Sequence, residues 1–187
     1  MLFIVAGCTK DEPQFPTHLP GTGNPDLLTD RDAAVYDAVL AAALQIFEIK
    51  SAVGSQKSEL TLQVRPTTLP RSDVHPELGR WQDLEGHKIQ DPVVDDSAVR
   101  DFQTRNQHRA SLAGFHSKRV RTEWEEHSSL GTPNFALTLP GYSAAGDIAV
   151  VEILVRTSPM SGGGQMVVLR KSGTNWVVVA KQVTFIS

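Results

Sequence analysis

The chain has 187 residues, 18 Lys and Arg against 21 Asp and Glu, and a formal net charge of −3, which leaves room for one domain and an appendage. Its charges are mixed along the chain, without the concentrated positive field on which nucleic-acid binding rests, so nucleic acid is not among the expected partners. A single cysteine excludes an internal disulfide framework and any multi-cysteine metal site, and no apolar run is long enough to span a bilayer as a helix.

Residues 1–7 are apolar or small, and Cys8 follows at once. The tetrad Val5-Ala6-Gly7-Cys8 resembles the lipobox of bacterial lipoproteins, in which an aliphatic residue and two small ones precede a cysteine that is diacylated and becomes the mature N-terminus. No Lys or Arg precedes Cys8, so the resemblance implies that residues 1–8 are the remnant of a truncated signal peptide. It also implies a lipid anchor at Cys8, a place in the cell envelope on a bacterial membrane, and an unknown envelope protein or small ligand as partner. An unmodified Cys8 at a correct start would instead leave the protein cytoplasmic. Residues 9–26 carry Pro13, Pro16, Pro20, Pro25, Gly21 and Gly23, the composition of a flexible tether able to hold a body off a membrane by roughly 25 Å.

The folded body is expected over 27–187 as a single domain. Thr29 and Asp32 have the spacing of a capping box, with Thr29 as N-cap, and Tyr36, Val39, Leu40, Ala43, Leu44 and Phe47 recur at helical spacing, which predicts a helix to about Lys50. Leu60, Leu62 and Val64 alternate with polar residues in a strand over 59–65 that Pro66 stops. Residues 66–92 read as a long loop, with one helical turn in which Leu78, Trp81 and Leu84 pack together; it is the first place to look for a lid or binding edge. A second helix is expected from 95–97 to about Ala113, with Asn106 on its core side, where the amide orders a neighbouring loop or contacts substrate. Short strands follow within 115–127 and 135–139.

The densest β signal is at the C-terminal end, in runs at 148–157, 165–171 and 176–186. A two-residue turn at Gly173–Thr174 would pair Lys171 with Trp176, Leu169 with Val178 and Val167 with Ala180, while Gly162–Gly164 reads as a flexible hairpin connection. The element order therefore predicts an α+β fold, with helices packed on a curved antiparallel β-sheet that ends in a strand meander. It resembles cystatin-like and nuclear-transport-factor-2-like folds in element order alone, and folds of that kind host enzymes and binding modules alike.

No residue has the setting of a catalytic group, no cofactor motif occurs, and the six histidines lack the spacing of a zinc site. Whether the protein is an enzyme is left open, with the balance toward not. Glu152 is a lone carboxylate in an apolar strand; enclosed, it would make with Arg156 and Asn106 the polar part of a ligand pocket, whereas pairing with Arg156 or Arg170 would make it structural. Arg105, Arg109, Lys118, Arg119 and Arg121 form a candidate patch for an anionic partner, although the Asp101–Arg105 spacing also suits a solvated helix face. The leading expectation is a lipoprotein with a non-catalytic binding or interaction domain; the alternatives are a small-molecule binder or enzyme using a pocket around Glu152, and a structural assembly subunit.

Overall fold

A computed structural model describes residues 27–47, 61–65, 67–70, 80–89, 94–112, 115–118, 121–124, 133–158 and 161–186, with 61 and 121–124 described by backbone alone. In chain order the elements are α1 (Asp30–Ile46), β1 (Thr61–Val64), α2 (Asp96–Arg105), β2 (Arg121–Trp124), β3 (Asn134–Leu137), β4 (Gly141–Tyr142), β5 (Ile148–Ser158), β6 (Ser161–Ser172) and β7 (Asn175–Ile186). The fold is α+β, built on one seven-stranded sheet of order β2-β1-β3-β5-β6-β7, with β4 also paired to β5. The sheet is mixed, which corrects the expectation of an antiparallel one. β1 runs parallel to both β2 and β3, whereas the pairs β3–β5, β4–β5, β5–β6 and β6–β7 are antiparallel. Parallel neighbours need a long crossover, and α2 lies within the connection from β1 to β2.

Alternation along β5 divides the core in two. Ala149, Val151, Ile153 and Val155 share one face with Val167, Leu169 and Trp176, and Tyr36, Val39, Leu40 and Ala43 of α1 pack on that side. Ile148 and Val150 turn the other way with Met166, Val168 and Ala180, beneath Ala98 and Phe102 of α2 and Trp81. Further along this second face, Leu154, Ala136 and Leu69 make a smaller cluster against which Phe185 packs. The two helices therefore cover opposite faces of one sheet, and β5 from Ile148 to Val155 and β6 from Met166 to Leu169 are almost continuously apolar because both their faces are buried there.

The start of α1 follows from its first residues. Thr29 accepts from the backbone N–H of Asp32 while the Asp32 carboxylate accepts from the Thr29 N–H, so the expected capping box is formed. Its last turn has no basic residue of its own; Lys181 on β7 instead donates to the carbonyls of Gln45 and Ile46, at 3.4 and 3.2 Å, from a position only 2% exposed. α2 ends at Arg105, well before Ala113. The Asn106 amide turns back to the Phe102 carbonyl at its C-terminus, and Ala110 and Ser111 run on extended to meet Thr67 and Thr68.

The final hairpin keeps the expected register only near its turn. Gly173 adopts φ +60°, and Ser172–Asn175, Lys171–Trp176 and Leu169–Val178 pair, but then Val168 faces Ala180. Val179 is an extra residue, so Ala180 joins the α2 side and Lys181 swings beneath α1. Gly162–Gly164 is not a flexible connection: all three residues lie within β6, opposite Arg156, Val155 and Leu154. At Gly164 a Cβ would come within 2.5 Å of both Phe185 Cε1 and Thr184 Oγ1, so the missing side chain is the space through which β7 reaches across β6.

Residues 80–89 form a small hairpin clipped over the outer edge of β7; of the helical turn expected around 76–84, residues 76–79 lie outside the described residues. Gln82 exchanges both backbone hydrogen bonds with Lys181, at 2.7 and 2.9 Å, and pairs with Lys88 on its other side. Trp81 and Ile89 lie against the α2-side cluster while Leu84 packs on the α1-side cluster, so Trp81 and Leu84 straddle the edge instead of packing together. Leu78 lies outside the described residues.

Candidate functional site

Two polar centres stand out within the core, and the larger is one that the sequence did not single out. Asp32, in the first turn of α1, is fully buried, and Arg105, at the last position of α2, reaches it around the end of β4. The guanidinium forks onto the carboxylate with Nη1–Oδ1 and Nη2–Oδ2 both at 2.9 Å, and also donates to the carbonyls of Leu27 and Pro140. Tyr142 on β4 donates its hydroxyl to Asp32 Oδ1 at 2.8 Å, and Thr29 adds its N–H and hydroxyl to Oδ2.

Burial pushes the Asp32 carboxyl up, but the hydrogen bonds and charge of Arg105, with help from Thr29 and Tyr142, more than reverse this and hold it below the usual carboxylate range. The Tyr142 phenol is raised first by burial and then by the Asp32 charge, and Tyr36 by burial above all. The Arg31 guanidinium carbon lies over the Tyr142 ring, 3.6 Å from its centroid, and 5.8 Å from that of Trp176. With five donors converging on it, the carboxylate has its lone pairs filled by its own fold.

The second centre is Glu152, fully buried at mid-strand between Val150 and Leu154. Its row in the sheet runs through Met166 to Gln182, and it sits where the α2-side cluster meets the smaller cluster of Leu69, Ala136 and Leu154. Thr184, the extra residue of a second bulge in β7, donates to Glu152 Oε1 at 2.7 Å through the space above Gly164. The backbone of Glu152 is held by Thr138, which accepts from its N–H and donates to its carbonyl.

The other residues singled out from the sequence are dispersed. Arg156 is half-buried, and its Nε donates to the Ser158 carbonyl. Asn106 is fully buried and exchanges two 2.7 Å bonds with the backbone of Leu139, an amide standing in for a strand neighbour, so it orders the β3–β4 connection. Arg105 is given over to Asp32, Arg109 is half-buried, and Lys118 is exposed while its N–H donates to Asp37. Arg119 lies outside the described residues, as does Cys8, and Arg121 is described by its backbone alone. On the clip, Asp83, Glu85 and His87 bring three candidate ligand atoms within 4.8 Å of one another, with His87 Nδ1 at 3.0 Å from Asp83. Desolvation pushes the Asp83 carboxyl up, but the hydrogen bonds from the His87 backbone and ring together outweigh it and lower the carboxyl.

Comparison of the chain with protein-family models, with curated proteins and with solved structures finds no match. The class that fold and site define is an α+β domain whose two helix layers are joined by a buried ion pair. No helix among the described residues is long and apolar enough to cross a membrane.

Proposed function

We propose that the chain is a bacterial envelope lipoprotein, anchored through Cys8 and tethered by residues 9–26, whose body is a binding or interaction domain without catalysis. The observation that carries the domain part is the saturation of Asp32: this charged centre, with five donors on one carboxylate, is spent on joining α1, α2 and β4. The anchor part rests on Val5-Ala6-Gly7-Cys8 and the Pro- and Gly-rich stretch after it. In this reading the sheet is curved and closes in a C-terminal meander, in the manner of cystatin-like and nuclear-transport-factor-2-like folds. The bulges in β5 and β7 supply the bending that such a shape needs. Among the described side chains of the basic patch, Lys118 and Arg109 remain to meet an anionic partner.

The test is the intact mass of protein purified from its native host, beside a Cys8→Ser control. A lipid-sized increase that the control lacks, together with recovery in the membrane fraction, supports the anchor, since each buried methylene adds about 0.8 kcal/mol. An unmodified Cys8 sinks it and leaves the cytoplasmic alternative.

A second reading is a ligand site around Glu152, favoured by the full burial of that carboxylate between apolar neighbours. It calls for Glu152→Gln to change the binding of a small ligand while leaving the far-UV spectrum unaltered.

A further inference from the structure

We infer that the hairpin of residues 80–89 is an edge guard, which keeps β7 from pairing with a second copy of this chain. β7 is the last strand in the order of the sheet, and its described sequence from Asn175 to Ile186 holds one charge, Lys181, which is buried. It is rich in valine, carries neither Pro nor Gly, and exposes Val177, Val179 and Val183 by 47%, 37% and 47%. A long apolar strand with open backbone groups is a template for another strand, and an identical chain supplies one at equal concentration.

Among the described residues, the outer edge of β7 is met by backbone at one place. Gln82 donates to the Lys181 carbonyl and accepts from its N–H, two residues from Val179 on one side and from Val183 on the other. The guard has the form of a strand, so it shows that this edge accepts one in the antiparallel sense. Its hold on the body is mostly apolar, through Trp81 and Ile89 on the α2 side and Leu84 on the α1 side. Its own turn is fixed locally, by Gly86 at φ +90° and by the bonds between Asp83 and His87. Such a unit can lift from the edge whole, without unravelling. The bulge at Val179 protects the same edge by a second means, disrupting the regular ladder beside the guarded residue.

The experiment is light scattering on a sizing column, over a range of concentrations and under reducing conditions so that Cys8 cannot bridge copies. It compares the full chain with Gln82→Pro, which removes the N–H donated to Lys181. The wild type is expected to elute at the monomer mass, and the variant to shift toward twice that mass as concentration rises. Adding Val183→Lys, which places a charge on the freed edge, should restore the monomer. If Gln82→Pro does not fold by circular dichroism, Leu84→Ser, which frees the tip of the guard without touching β7, is read in the same way. A folded guard variant that stays monomeric at every concentration overturns the inference, as does a wild type that dimerises to the same extent.

Discussion

Replacing Arg105 with methionine keeps most of the aliphatic stem and deletes the charge, leaving the Asp32 carboxylate in place with Tyr142 and Thr29 as its remaining donors. The change removes two 2.9 Å charge-assisted bonds to Asp32 and the bonds to Leu27 and Pro140. Removing one partner of a buried pair costs about 3–5 kcal/mol, because the other charge stays out of water. Asp32 is fully buried but the Arg105 side chain is 20% exposed, so water can enter part of the vacated space, and the lower end, about 3 kcal/mol, is expected. Against a typical total of about 5–15 kcal/mol this is a large share.

The pH dependence separates this cause from lost packing. In the wild type the folded Asp32 carboxyl lies below its unfolded value, so its contribution is fully present above about pH 4 and is lost as pH falls through the depressed folded value. In Arg105→Met the upward push of burial meets much less opposition, and the carboxyl takes up its proton at a higher pH. The stability gap between the two proteins is therefore widest at neutral pH and narrows on acidification. Urea unfolding followed by tryptophan fluorescence, at neutral pH and near pH 4, measures it. A loss below about 1 kcal/mol at neutral pH, the scale of an exposed pair, or a gap that does not change with pH, would refute the reasoning.

Two further substitutions test the packing. In Gly141→Ala the new methyl falls on the backbone of α2, at the Ala98 carbonyl and the Phe102 N–H, so the helix must move; a loss of roughly 1–3 kcal/mol is expected from the thermal midpoint. Lys181→Met takes a cation from the C-terminal carbonyls of α1 and should cost about 1–2 kcal/mol, with faster amide exchange confined to the last turn of that helix; unchanged exchange there would show that Lys181 does not cap it.

What could be read from the chain was mostly local. The N-terminus of α1 was legible because Thr29 and Asp32 satisfy one another within a single turn, and the strands because alternation needs only neighbours. Most of what was missed depends on a partner on another element. Arg105 and Asp32 are 73 residues apart and Tyr142 lies 110 beyond Asp32, so an arginine that reads as a surface charge turns out to close a buried network. The parallel pairing of β1 is set by the path of the chain between strands, which alternation does not record. Register in the final hairpin was lost at Val179, where one added residue reverses the faces of Ala180 and Lys181. Gly162–Gly164 carried a turn composition, but its use at Gly164 is clearance for Thr184 and Phe185. Glu152 was noticed as an acid in an apolar strand; that its partner would come from two strands away could not be.

The meeting of Asp32, Arg105 and Tyr142 also fixes an order of events. α1 and α2 settle on opposite faces of the sheet, and their ends can touch only after both are docked and β4 has closed against β5. The network is therefore complete only in the fully assembled fold. If it is absent from the folding transition state, Arg105→Met speeds unfolding and leaves the refolding rate unchanged, and the ion pair is then a latch on the lifetime of the fold.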